Sequence, residues 1–144
     1  EILDCSPAQA NKSMANFYEA LPTLKKLKSQ AANAASMGWM KGLDGRILKI
    51  GSEHLALSVY LQGGETVLMR VANVFWQNQA RKEGINFKQC AWVHDEWQTE
   101  VDADQAERLG EIQVQSIIDA GTHFNLNCPM DGEAKIGRNW LETH

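Results

Sequence analysis

Apolar residues recur at helical spacing from Ala10 through Met14 and Phe17 to Leu21, after a Ser6–Pro7 start. Ser as a cap and Pro at the first helical position predict a helix beginning there. Pro22 predicts its end, because a proline nitrogen has no hydrogen to donate. A second helical stretch runs from about Thr23 to Ser36, with Leu24 and Leu27 to one side and Lys25, Lys26 and Lys28 mostly to the other. Gly38 closes it. Between Trp39 and Ile50, Asp44–Gly45 separates two short mixed runs, a strong hairpin pattern. From about Glu53 to Lys82 the pattern is helical again, with Gly63–Gly64 inside it. Each glycine costs roughly 1 kcal/mol against alanine, so a kink or a close backbone approach is expected there.

Gly84 and Asn86 interrupt the pattern, and Phe87 to Val101 then reads as strand, turn, strand about His94, Asp95 and Glu96. Asp102 or Asp104 is the expected cap of a further helix, from about Gln105 to Ala120, with Ile112, Ile117 and Ile118 in its apolar stripe. Leu126–Met130 and Glu133–Ile136 flank Asp131–Gly132, which predicts a last hairpin. Hairpins placed between helices give an α+β domain built on antiparallel pairing.

The chain has 144 residues, enough for one domain with a real core, and 22% charged residues against 44% hydrophobic ones indicate a globular chain. No apolar run approaches the roughly 20 residues that span a bilayer, and no basic-then-apolar leader opens the chain. Residues 1–50 hold seven Lys or Arg against four acids, whereas residues 51–144 hold seven against fourteen. That asymmetry fits a polyanion partner on one side, though on charge alone an ordinary solvated surface is the simpler reading. Cys5, Cys90 and Cys128 form no CxxC pair, which argues against a disulfide framework or a structural zinc site. Reduced thiols are expected, with Cys90 and Cys128 in the core. The chain opens on Glu1 rather than Met, and is read as trimmed or as a piece of something longer.

His94, Asp95 and Glu96 place three ionisable groups between apolar strands, with no Gly, Pro or Asn to make the turn. A break with local rules of this kind marks functional sites. Adjacent carboxylates at a hairpin tip call for a cation, and Mg²⁺ takes one or two protein carboxylates plus substrate phosphates. Taken alone, the tripeptide also fits a solvated turn. His54, Ser58 and Gln62 fall four and four apart, along one helix face. Such a row is either the solvent side or a surface meeting something polar and repetitive. The DNA minor groove, with acceptors at equivalent places on every base pair, is one such partner.

Together these residues resemble family A DNA polymerases, the group holding bacterial polymerase I and the replicative enzymes of many phages. Trp92–Val93–His94–Asp95–Glu96 is similar to the family's motif C. Gly38, followed after six residues by Gly45–Arg46, resembles the hairpin just ahead of the long palm helix. His54, Ser58 and Gln62–Gly63 fall where that helix meets DNA, and Gly137, Asn139–Trp140 and His144 resemble the closing residues. The phage enzymes look most similar, through Lys41–Gly42–Leu43–Asp44–Gly45–Arg46 and Ala91–Trp92–Val93–His94–Asp95–Glu96. Ser58 stands where the family usually has Asn, and Gly42 where bacterial enzymes often have Thr. No segment ahead of the hairpin resembles motif A, with its catalytic aspartate, or motif B. The chain therefore reads as a polymerase beginning just after motif B: a piece, or the product of a split gene.

The resemblance implies two fingers-type helices over residues 1–37. Over 38–144 it implies a palm-type antiparallel sheet with hairpins, packed by a long helix and a C-terminal helix. It implies nucleotidyl transfer from a dNTP to a primer 3′-hydroxyl, aided by two Mg²⁺ ions. Asp95 would be one metal-binding carboxylate, Glu96 a neighbouring one, and His94 would approach the primer terminus. Gln62, His54 and Ser58 would line the minor groove, and Arg46 and Lys41 would meet phosphates. The implied partners are primer-template DNA, dNTP and the upstream polypeptide with motifs A and B; the implied place is the cytoplasm of a phage-infected cell. Alone, the segment is expected to be inactive and to self-associate through uncovered apolar surface. A non-catalytic nucleic-acid-binding or interaction module is the alternative. A small metal-dependent hydrolase is a weaker one, because three adjacent hairpin residues cannot all face one metal. His123 is expected at the surface, in a turn after a helix.

Overall fold

The computed structural model describes residues 6–143; Cys5 and His144 lie outside the described residues. The chain forms two compact units, one through Leu61 and one from Gln62 onward.

The first unit opens with α1 (Pro7–Ala20) and α2 (Pro22–Ser36). The Ser6 hydroxyl accepts from the Gln9 backbone N–H at 3.3 Å, and the Gln9 side-chain oxygen accepts from the Ser6 N–H at 2.8 Å, a reciprocal cap. Pro22 ends one helix and starts the next, where its missing N–H costs nothing. Gly38 leaves α2 with φ +74°, a conformation that penalises a side chain. Strands β1 (Trp39–Lys41) and β2 (Ile47–Lys49) pair antiparallel, with Trp39 opposite Lys49. At their turn Gly45 takes φ +82° and its N–H donates to the Gly42 carbonyl at 3.0 Å, as the Asp–Gly pattern predicts. Ala31, Ile50 and Ala56 form a small core, backed by Ala35, Met40, Leu48 and Leu57.

A 3₁₀ turn (Glu53–Leu55) precedes α3 (Ala56–Lys82). His54 therefore sits in that turn and not in the helix proper. A Cβ added at Gly64 would meet nothing within 4 Å, so the expected close approach is absent at that glycine among the described residues.

In the second unit β3 (Phe87–Val93) and β4 (Glu96–Val101) form the other two-stranded antiparallel sheet, followed by α4 (Ala106–His123) and α5 (Trp140–Thr143). Trp76, Ala80, Leu109 and Ile112 are buried against Phe87, Trp97 and Val101. A neighbouring cluster joins Leu68, Met69, Ala72 and Ala120 to Ile117, Leu126 and Met130. Neither aspartate caps α4: its N-cap is Gln105, with no side-chain cap bond. Asp102 contributes only its carbonyl, 2.9 Å from the Gln105 N–H.

The expected last hairpin is not formed. Residues 125–139 contain no strand. They run antiparallel to α4 instead: Met130 lies against Gly121, Gly132 against Ile117 and Ala134 against Gly110. A Cβ at Gly121 would come within 2.5 Å of the Met130 Cγ, so glycine is needed for that approach. Both described cysteines are exposed, contrary to expectation. Cys90 lies at a register shift in β3, between Gln89 and Ala91, and Cys128 lies in the non-strand segment. His123 is exposed but ends α4, edge-on to Phe124 at 4.9 Å between centroids.

A bidentate pair ties the chain after α3 to α4: Arg108 Nε and Nη2 each donate to Glu83 at 2.8 Å. The Arg108 bonds, then one from Gln79, hold the Glu83 carboxyl down at about 2 against an ordinary 4.5. A lowered carboxylate pKa adds stability above its unfolded-state value, and that stability is lost as the proton returns. Glu83→Gln is therefore expected to be less stable than the parent at neutral pH, with the two converging between about pH 4.5 and pH 2. Denaturant unfolding across pH measures this; curves that stay parallel would remove the pair from the stability account.

Candidate active-site hairpin and nucleic-acid interface

The β3–β4 hairpin is built on its two faces differently. Phe87 opposite Val101, Gln89 opposite Thr99 and Trp92 opposite Trp97 alternate with Lys88 opposite Glu100, Ala91 opposite Gln98 and Val93 opposite Glu96. The extra residue Cys90 shifts the alternation of β3 by one, as a bulge does. Trp92 thereby comes opposite Trp97, edge to face at 6.2 Å, and Trp97 in turn lies 5.9 Å from Trp76 in the core.

Val93 pairs with Glu96, so the connection is only His94 and Asp95. His94 takes φ +54°. For a residue with a Cβ that left-handed conformation costs roughly 1–2 kcal/mol, and strain of this kind gathers at functional sites. The turn is held from below by the Trp92 Nε1–H, which donates to the His94 carbonyl at 2.9 Å. His94 and Asp95 are exposed at the tip, and Glu96 is half-buried at the start of β4. The Gln98 amide donates to Glu96 Oε1. No Lys or Arg forms an ion pair with Asp95 among the described residues. Asp95 and Glu96 border a cleft of about 1280 Å³ between the hairpin, α4 and the C-terminal segment.

Lys41, Arg46, His54 and Ser58 belong to the first unit and are exposed. Arg46 is fixed by its neighbour: Nη2 lies 2.6 Å from Asp44 Oδ2, and Nε donates to that oxygen at 2.7 Å. This bonding lowers the Asp44 pKa, so the aspartate stays charged and holds the guanidinium at the turn. Gln62 begins the second unit with its side chain exposed on α3. Ser58 and Gln62 are one helical turn apart, as their spacing predicts.

The family model described as DNA polymerase family A matches residues 1–142. The chain belongs to DNA polymerase family A. It is 31% identical over 113 residues to the DNA-directed DNA polymerase of Enterobacteria phage T3, covering 74% of this chain and 16% of that protein. The DNA-directed DNA polymerase of Escherichia phage Phieco32 is 28% identical over 137 residues, covering 90% of this chain and 22% of that one. The chain thus spans less than a quarter of either relative. The POL domain of Pol1 from M. smegmatis, solved in complex with DNA primer-template and dNTP, shares the fold with a TM-score of 0.80 at 19% identity, over 98% of this chain and 27% of that one.

Within this family A segment no group of three or more His, Cys, Asp or Glu side chains could hold a metal, among the described residues. Asp95 and Glu96 suit one edge of a metal site and not a whole one. No helix of the described residues is long and apolar enough to cross a membrane. Two residues near the polymerase hairpin escaped the sequence reading: Gln98, and Thr143, whose hydroxyl lies 3.2 Å from Gln98 Oε1. Strand periodicity was the signal that could have found Gln98, two residues after Glu96. Nothing in the sequence pointed to its tie with a residue 45 positions away.

Proposed function

We propose that the chain is the C-terminal catalytic segment of a DNA-directed DNA polymerase, with residues 1–37 on the fingers side and 38–144 in the palm. The observation that carries the reading is the strained two-residue tip, which presents Asp95 without a basic partner among the described residues, inside a family A match. Asp95, with Glu96 beside it, would hold divalent metal together with a motif A aspartate outside these residues. The chemistry that two Mg²⁺ ions supply when bound is Lewis-acid stabilisation of the attacking and leaving oxygens. The strained turn fixes where the Asp95 carboxylate stands before substrate arrives. His94 stands at the same tip, where an imidazole N–H can donate to a sugar or phosphate oxygen of the primer terminus. Gln62, Ser58 and His54 donate to minor-groove acceptors, which are alike for every sequence and so serve shape rather than base identity. Lys41 and Arg46 meet phosphates, with Asp44 fixing the guanidinium.

Phosphoryl transfer depends on positioning and charge. Half a metal site is therefore expected to leave these 144 residues inactive alone. Primer extension with Mg²⁺ and dNTPs tests this, using the segment by itself and mixed with an upstream polypeptide carrying motifs A and B. Extension only in the mixture is the expected result. Extension by the segment alone would overturn its predicted inactivity. No extension in a mixture shown to associate would favour a non-catalytic nucleic-acid-binding module.

A further inference from the structure

Glu96 and Gln98 share one face of β4, because strand side chains two apart point the same way. The Gln98 Nε2–H donates to Glu96 Oε1, and Gln98 Oε1 accepts from the Thr143 hydroxyl at 3.2 Å. A carboxylate only accepts, so the amide must turn its nitrogen to Glu96 and its oxygen to Thr143. The single Thr143 hydroxyl proton is shared with the Trp140 carbonyl, 3.1 Å away within its own helical turn.

The far end of this chain of bonds is anchored. Glu142 accepts from the Arg138 backbone N–H at 2.7 Å and from Asn139 Nδ2 at 2.8 Å, which closes α5 on itself. The segment leading to α5 is seated on α4, with Ala134 against Gly110. A glutamate side chain has three rotatable bonds, and a donor held from a separate element selects among its rotamers.

The geometry points to Gln98 and Thr143 as positioning residues: through them the C-terminal helix aims the Glu96 carboxylate beside Asp95. This rests on the reading of Asp95 and Glu96 as the metal-facing pair. Residues that orient a metal-facing carboxylate typically change metal affinity or activity by about 10-fold or more when removed.

The test uses the full-length polymerase that carries this segment, with Thr143→Val, Gln98→Met, the conservative Thr143→Ser, and Asp95→Ala alongside. Mn²⁺ alone is titrated into the enzyme–primer-template complex and followed by electron paramagnetic resonance; kcat and the KM for dNTP are measured separately. Thr143→Val and Gln98→Met are each expected to weaken Mn²⁺ binding and lower kcat about 10-fold, with KM within about twofold. Thr143→Ser is expected to restore both. Unchanged Mn²⁺ affinity in Thr143→Val and Gln98→Met overturns the inference, as does a Thr143→Ser as impaired as Thr143→Val. Should Thr143→Val fail to fold, Gln98→Met decides by the same readouts. If Asp95→Ala loses Mn²⁺ affinity while the other variants keep it, only the positioning role fails. If Asp95→Ala also keeps its affinity and activity, the reading beneath it fails.

Discussion

Asp95→Ala in the full-length polymerase is expected to lower primer extension by about 10³-fold or more, while primer-template affinity stays within about twofold. The loss is large because charge stabilisation of the reacting phosphoryl group is the dominant catalytic effect in such a site; removing a single stabilising donor elsewhere already costs about 10²–10³-fold. DNA affinity should hold because it comes from many phosphate contacts, each releasing counterions, and a lost carboxylate takes none of them away. Fold stability should hold too. Asp95 is exposed, makes no ion pair with Lys or Arg among the described residues, and its φ is not positive, so alanine adds no strain and leaves no described partner behind. Extension assays, fluorescence anisotropy with labelled primer-template and thermal melting separate the three quantities. If DNA affinity fell as far as activity, Asp95 would be a structural residue and its place in the chemistry would be withdrawn.

Local signals were legible where local chemistry decides the outcome. Ser6 and Pro7 start a helix because the hydroxyl and the missing N–H act within one turn. Asp44 and Gly45 turn a hairpin because Gly45 supplies the positive φ. The tip at His94 was legible for the opposite reason: the residues a turn wants are missing, and the strain appears as φ +54°. Asp131–Gly132 carries the same dipeptide as the first hairpin but a different result. Asp131 Oδ1 accepts from the Gly132 N–H at 2.8 Å, a bond between adjacent residues with no turn around it. Leu126 and Met130 on the same segment pack against the helices, so no strands pair. There the decision belongs to a tertiary contact, the approach of residues 130–134 to α4, which no short window of sequence contains. Cys90 was placed in the core for its apolar neighbours, but it is the unpaired residue at the register shift of β3 and is exposed. The tie between Gln98 and Thr143 was invisible because hydrogen-bonding residues leave no periodic trace.

Trp76→Ala is expected to cost about 3–5 kcal/mol in the unfolding free energy of the chain, the range for emptying a fully buried large aromatic site. Trp76 has 0% exposure, and its ring lies 4.7 Å from Phe87 and 5.9 Å from Trp97 between centroids. It therefore joins α3 to both strands of the β3–β4 hairpin at once. Alanine would leave a cavity bordered by Ile85, Leu109, Ile112, Val101 and those two rings, and a two-stranded sheet cannot collapse inward without breaking its register. The indole Nε1–H donates to Asn73 Oδ1 at 3.0 Å, but Asn73 is only half-buried, so water can replace that bond. Most of the loss is thus packing and apolar burial. Val74→Ala on the same helix, at 55% exposure, should stay within about 0.5 kcal/mol. Chemical denaturation followed by far-ultraviolet circular dichroism should show a lower midpoint for Trp76→Ala with an unchanged slope. A cost below about 1 kcal/mol would mean that the helix–hairpin contact is not what holds this unit together. An intermediate cost for Trp76→Phe would show that the ring, rather than its nitrogen, carries the effect.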